Sequence, residues 1–258
     1  MLLDRLLDSV GLQIEPVAVC DLRAGVRMEL PPQPEPHVHC VVRGRGRLGS
    51  GRARCELSLG AHVVALVPPN AAHGIEPEGG ATRSLKLGSQ RSSDHLPALT
   101  AGGGESALLL VSGLIRTRAQ TPFGLLDGVR TPIGVDLSGV PRAAPLFEAL
   151  LAEQVGRPPG SRRMTGLLIQ QCLVYALREL SERAECPLPW LRGIKDARLA
   201  RALQMMLRAP QRPHTVKALS EAAGMSRSSF SARFARAFGR SPLAWLAQAR
   251  EGGAETAP

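Results

Sequence analysis

Hydrophobic residues recur with two different periods along this chain. Between residue 14 and about residue 120, short apolar runs are punctuated by glycine and proline: "PVAVCDL", "GVRMEL", "HVHCVV", "RCELSLGAHVVALVPPN" and "RSLKLG". Many short runs at regular spacing predict the strands of a sandwich or barrel. From about residue 142 the period becomes helical. "PRAAPLFEALLAEQVG" predicts one helix, stopped by "GRPPG" at 156–160. "SRRMTGLLIQQCLVYALRELSERAE" predicts a long amphipathic helix with Ser161 as its N-cap, broken at Cys186, Pro187 and Pro189. "DARLARALQMMLRAP" predicts another, with Leu199, Leu203, Met206 and Leu207 facing inward. At the start, "MLLDRLLDSVGL" puts Leu2, Leu3, Leu6 and Leu7 on one helical face. Asp4, Arg5 and Asp8 interrupt the apolar run, so a docking helix is expected rather than a signal peptide. "GGGES" at 102–106 reads as a loop tip.

One stretch, "TVKALSEAAGMSRSSFSARFARAFGRSP", combines two short helices with a tight turn. Thr215 can cap a helix from Val216 to Ala223. Gly224 can take the positive φ that a sharp turn needs, and Ser226 can cap the next helix. On that helix Phe230, Phe234 and Phe238 stand four apart and form one apolar stripe. Leu219, Ala222 and Ala223 face it, with Ser220 small at the closest approach. On the opposite side, at 100° per residue, lie Ser228, Ser229, Ala232, Ala235 and Arg236, flanked by Ser231 and Arg233. A helix of this kind enters the DNA major groove with its N-terminus leading. Ser226 and Ser228 begin that face. Arg227, Arg233, Arg236 and Arg240 suit phosphates, and serine hydroxyls read base edges loosely because they both donate and accept.

Charge adds weight to that end. The net formal charge is +10. Residues 190–258 hold twelve Arg/Lys against four Asp/Glu, whereas residues 1–189 hold twenty against eighteen. Such asymmetry points to a polyanionic partner. The longest near-apolar run, "ALLLVSGLI", is too short to span a bilayer, so no membrane is expected and the cytoplasm is. The five cysteines (20, 40, 55, 172 and 186) are odd in number and scattered, which fits a reducing compartment without a disulfide framework. No nucleophile elbow, phosphate loop or zinc-finger spacing occurs; "GRGRLGSG" at 44–51 falls in a predicted hairpin.

The stretch "LSEAAGMSRSSFSARFARAFGRSPLAWL" closely resembles the first helix-turn-helix of AraC/XylS-family transcription regulators. The family pattern falls on Ala223 to Ser228, Phe230, Arg233–Phe234 and Gly239 to Pro242. "DARLARALQMMLRAPQRPHTV" is similar to the family's lead-in helix, and "FGLLDGVRTPI" (123–133) and "LLIQQCLVYALREL" to its helical connector. Two departures stand out. Ala232 replaces the long polar reader of many members, which implies poor base readout. Family members also carry two such motifs joined by a long helix; "SPLAWLAQAR" begins that helix, and "EGGAETAP" after it reads as frayed. The expectation is half of a family reader.

In the front half, His37 and His39 alternate along a predicted strand and so share a face. With Gly60, Pro68 and His73 they resemble the two motifs of the cupin barrel. Metal-binding cupins add a glutamate about four residues on, where this chain has Arg43. A cation there disfavours a metal, so no metal and no cofactor are expected. Related regulators sense oxidants through a cysteine near the place of Cys20, with a second one further on; "RSLKLGSQ" (83–90) lacks that second cysteine, and Cys40 and Cys55 are the substitutes. The expected fold is α+β: a cupin-like β-barrel sensor at 1–120, a helical connector and dimerisation region at 121–186, and an all-α helix-turn-helix domain at 190–258. The implied protein is a homodimeric, non-enzymatic regulator of double-stranded DNA, answering to a small molecule or oxidant through Cys20, His37, His39 and His73. Its rivals are a cupin metalloenzyme and a variant that titrates partners without binding DNA.

Overall fold

The computed structural model describes residues 2–50, 55–86, 96–118 and 121–254. Its contacts divide the chain into two compact units. One comprises residues 13–116 and 130–179; the other comprises residues 1–12, 117–129 and 180–258.

The first unit holds ten strands among the described residues. These are β1 (Gln13–Arg23), β2 (Gly25–Leu30), β3 (His37–Ser50), β4 (Cys55–Gly60), β5 (Val63–Val67), β6 (His73–Pro77), β7 (Ala81–Lys86), β8 (Ala98–Ala101), β9 (Ser106–Arg116) and β10 (Ile133–Asp136). They join in one mixed sheet along the path β7-β2-β6-β3-β9-β1-β8. β4 and β5 pair with β3, and β10 pairs with β5. The sheet curls into the expected barrel because alternate residues turn inward and pack: Cys20, Leu22, Met28, Val41, Leu48, Ala65, Ile75 and Leu110 are all buried in one core. Long β3 serves two parts of the wall. His37–Cys40 pairs with β5, and Gly46–Ser50 pairs with β6. Two helices complete this unit, α2 (Ala144–Gly156) and most of α3 (Ser161–Glu182). α3 crosses the outer face of the sheet. A Cβ on Gly166 would lie 2.9 Å from the Ile14 carbonyl, and one on Gly113 3.6 Å from Ile169.

The second unit is helical: α1 (Leu2–Val10), α4 (Pro189–Lys195), α5 (Ala197–Arg208), α6 (Val216–Ala223), α7 (Arg227–Phe238) and α8 (Pro242–Ala254). Leu6 and Val10 of α1 are buried here, and α1 contacts α5 and α8. No helix among the described residues is long and apolar enough to cross a membrane.

Several local expectations need correction. "FGLLDGVRTPI" is not helical: residues 122–128 form turns, and Ile133–Asp136 is a strand that pairs with β5. Pro122, Pro132 and Gly128, which takes φ +78°, exclude a helix there. Ser161 is not the cap of α3. Its hydroxyl donates to the Glu153 carbonyl, and the Gly160 carbonyl accepts from Met164 instead. The prolines after Cys186 do more than break a helix, since Pro189 starts α4, where the missing N–H costs nothing. Residues 251–254, read as frayed, continue α8. Arg250 explains the extension: Nε and Nη2 donate to the carbonyls of Pro210 and Arg212, each at 2.6 Å.

Candidate functional site

Two places gather chemistry, one in each unit. In the helical unit, the local signals act as the sequence predicts. Thr215 Oγ1 accepts from the Ala218 N–H at 3.1 Å, and Ser226 Oγ from the Ser229 N–H at 3.2 Å. Gly224 has φ +63°, and Gly239 closes α7 at φ +74°. Phe230, Phe234 and Phe238 are buried; Phe234 lies 4.6 Å from Phe238 between ring centroids and meets Trp245 edge-on. Ser220 is buried and donates to the Lys217 carbonyl. α7 is also held from α4: a Cβ on Gly193 would lie 2.7 Å from the Ala237 Cβ, so only glycine permits that approach. Trp190 of α4 donates to the Leu125 carbonyl at 2.8 Å and packs at a tilt against Phe123.

With its back fixed, α7 presents Ser226, Arg227, Ser228, Ala232, Arg233 and Arg236 to solvent, with Ser229 and Ser231 half-buried. The arginines differ in what they touch. Arg233 Nη1 is 3.5 Å from Asp196, the N-cap of α5. Arg240 is half-buried and donates to the Gln248 side chain, which ties the end of α7 to α8. Arg201, which the sequence pattern did not single out, donates to the carbonyls of Ala222 and Ala223. It satisfies the open C-terminus of α6 from α5. An arginine one turn from Ala197 on a helix of mixed charge carries no sequence signal for that task.

In the barrel, His37, His39 and His73 come together, all buried. His39 and His73 face each other Nε2 to Nε2 at 2.9 Å. His37 stacks on His39 and meets His73 edge-on, at 5.7 and 5.0 Å between centroids. Cys20 joins them through Ser112, which hydrogen-bonds both the Cys20 thiol and His39 Nδ1, the latter at 2.8 Å. All four candidate residues thus lie in one connected cluster. Ser112 is the residue that sequence reading missed, hidden inside the run "ALLLVSGLI".

The hydrogen bonds fix the tautomers. His73 Nδ1 is 3.1 Å from the Ala71 carbonyl, which can only accept. His73 therefore carries its proton on Nδ1 and accepts at Nε2. His39 must then donate from Nε2 and accept at Nδ1 from the Ser112 hydroxyl. The rings are neutral, and burial keeps them so. It pushes His37 down to about 3 and His39 well below the ordinary histidine value, with the neighbouring histidines acting in the same direction. Burial also lowers His73, against its Ala71 bond and the nearby Glu29 carboxylate. Burial raises the Cys20 thiol to about 12, so it is not a ready thiolate.

Arg43 does not stand beside the histidines, where its spacing in the sequence suggested. It lies beyond an irregularity between Val41 and Arg43 and is exposed, so its charge does not enter the cluster. The histidines disfavour a cation for another reason: both ring nitrogens of His39 and of His73 already have partners. No group of three or more His, Cys, Asp or Glu among the described residues is arranged to hold a metal ion.

A stability consequence follows from the histidine shifts. The unfolded chain protonates His37 near its ordinary value of 6.5, while the folded chain resists until about pH 3. Between these values the unfolded state binds more protons, so stability falls as pH falls. His37 alone should remove about 2 kcal/mol between pH 7.5 and pH 5. Urea midpoints of the barrel at the two pH values test this. Equal midpoints would show that the buried rings accept protons without penalty.

Comparison with known proteins gives two family matches. Residues 2–182 match the family model described as Cupin, and residues 209–247 match that of bacterial regulatory helix-turn-helix proteins of the AraC family. An AraC-like transcription regulator of Streptomyces antibioticus is 34% identical over 155 residues, covering 58% of this chain and 50% of that protein. A Streptomyces lividans protein of the same description is 36% identical over 155 residues with the same coverage. The chain thus spans about half the length of these curated relatives. The crystal structure of a ToxT variant from Vibrio cholerae aligns with 92% of this chain and 96% of its own, at 11% identity and a TM-score of 0.29, too low to support any further comparison. The first match covers most of the chain: the chain belongs to the cupin family, and it carries an AraC-family helix-turn-helix segment that spans α6 and α7.

Proposed function

We propose that this chain acts as a DNA-binding transcription regulator in the cytoplasm, without enzymatic activity, and reads double-stranded DNA through α7. The observation that carries the reading is the division of labour on that helix. Its apolar face is spent on Phe230, Phe234 and Phe238, while its opposite face leaves Arg227, Ser228, Ala232 and Arg236 exposed. The functional regions proposed are a sensor at 1–120, a connector at 121–186 and a DNA-binding region at 190–258. Recovery of DNA fragments crosslinked to the protein in cells tests the reading; a discrete set of sites supports it, and random recovery argues against it.

The effector region proposed is the cluster of Cys20, His37, His39 and His73, answering to a small molecule or oxidant rather than to a resident metal. Removing a ring nitrogen from its present partner costs a hydrogen bond that the metal must replace. Elemental analysis of protein purified without added metal should give well below one zinc, iron or nickel per chain. One equivalent, lost on His73→Ala, would instead establish the metal-binding rival.

Homodimerisation is proposed through α3. Of the residues that give this helix its apolar character, Leu168, Leu173 and Leu177 are buried within the chain. Met164 and Leu167 remain 46% and 45% exposed, and with Gln171 and half-buried Val174 they follow one helical stripe. Leu167→Glu should convert a micromolar dimer to a monomer in analytical ultracentrifugation. A monomeric parent protein would remove this part of the proposal.

A further inference from the structure

Residues 121–129 contain no helix or strand, yet they bury three large side chains. Phe123, Leu125 and Leu126 are each 2% exposed or less. Connecting segments ordinarily run over the surface. This one packs within the helical unit, although it continues the chain from β9 of the barrel. Its shape is fixed by its own hydrogen bonds. The Gly124 N–H donates to Asp127 Oδ2 at 2.7 Å, the Asp127 N–H to the Gly124 carbonyl at 3.1 Å, and the Val129 N–H to the Leu126 carbonyl at 3.1 Å. The segment is a set turn rather than a slack link.

Two helices rest on it. Trp190 of α4 gives its indole N–H to the Leu125 carbonyl, and its ring lies 5.3 Å from the Phe123 ring between centroids. Phe123 also meets Phe238, the last residue of α7, edge-on at 6.1 Å. Pro189, which begins α4, is 3.4 Å from where a Cβ on Gly128 would lie. α4 has seven residues, and helices shorter than about 12–15 residues are marginal in water on their own. Its place is therefore set by what it packs on: this segment and, through Gly193, Ala237 and Phe238 of α7. The contacts fall at the carboxyl end of α7, whereas Arg227 and Ser228 stand at its amino end. Over a helix of twelve residues, a tilt of about 10° at Phe238 would carry the far end roughly 3 Å.

We propose that Phe123 and the Leu125 carbonyl are positioning groups for the reading helix: they seat α4 and set the tilt of α7 without touching DNA. The proposal rests on the reading of α7 as the helix that contacts DNA. It enlarges the DNA-binding region beyond 190–258, because one of its supports is supplied by the connection that follows a barrel strand.

The experiment is hydrogen–deuterium exchange of the full chain, resolved by peptide in a mass spectrometer, beside fluorescence anisotropy on specific and scrambled duplexes. Trp190→Phe keeps a ring and removes the donor. Phe123→Leu keeps apolar volume and removes both ring contacts. Phe147→Leu, at an equally buried phenylalanine of the barrel unit, is the control. In both test variants α7 should exchange about tenfold faster, as the loss of one net hydrogen bond or its equivalent implies. α5, α6 and the barrel strands should keep the parent's rates. Affinity for the specific duplex should fall by a similar factor, while affinity for the scrambled duplex, which rests on charge, should hold. The control should leave α7 and both affinities unchanged. Unaltered α7 exchange in the test variants would overturn the proposal, since the segment would then hold nothing. An equal rise from α5 to α8 would overturn it as well, by showing a general loss of core packing, and so would faster α7 exchange with specific affinity intact. If the parent binds no duplex or does not discriminate, the DNA reading falls and the exchange arm alone decides whether the segment positions α7. If Phe123→Leu folds poorly, Trp190→Phe carries the test.

Discussion

Duplex DNA should bind this chain weakly, with a salt dependence that reports a small number of phosphate contacts. One recognition helix occurs among the described residues, and Arg227 and Arg236 are its exposed arginines without a structural ion pair in the fold described above. With about three phosphates neutralised, a rise from 50 to 200 mM salt should weaken binding roughly 40-fold. Removing one contact by Arg227→Ala or Arg236→Ala should weaken binding to every sequence and reduce that factor to roughly 12. Arg240→Ala should behave differently: its side chain holds Gln248, so the loss should appear in thermal stability before it appears in the salt slope. Ser228→Ala and Ser231→Ala should alter sequence preference rather than slope. Fluorescence anisotropy on specific and scrambled duplexes at two salt concentrations separates these outcomes. Nanomolar binding insensitive to salt would show that affinity comes from base contacts or bending. No binding at low salt would favour the partner-titrating alternative.

Phe234→Ala should be the most damaging single change in the helical unit. Phe234 is fully buried and touches Phe230, Phe238 and Trp245 by its ring faces and edges. Truncating a buried phenylalanine costs about 3–5 kcal/mol, a large part of the stability of a unit this size. Its melting temperature should fall by roughly 15 °C or more, and DNA binding should go with it. Phe234→Leu should retain most of both, since it keeps apolar volume. If Phe234→Ala melts like the parent, the phenylalanine stripe is not the core that fixes α7.

How far the sequence could be read depended on whether each signal was local. The caps at Thr215 and Ser226, the glycine at 224 and the phenylalanine stripe act within a few residues, so their pattern was sufficient. The barrel was legible for the same reason, through alternation and turn residues. What escaped was set by partners distant in sequence. Ser112 was indistinguishable from a polar break in an apolar strand until β9 was placed between β1 and β3. Arg201 looked like one more surface arginine until α6 was seen to end beside it. The amphipathic face of α1 was evident, but its burial in the helical unit was not. Pro189 was read as punctuation when it was also a beginning, because proline fits the first turn of a helix.

The close approach of α4 behind α7 bears on how such a protein changes over generations. Gly193, Ala237 and the phenylalanines anchor the recognition helix entirely from one side. Ala232 and Arg236, on the other side, are exposed and support nothing in the interior. Substitutions on that outer face are nearly free of folding cost, since exposed helical positions away from caps shift stability by about 0.5 kcal/mol or less. Recognition can drift there independently of foldability. A side chain at position 193, by contrast, would meet the Ala237 Cβ at 2.7 Å and displace α7 itself.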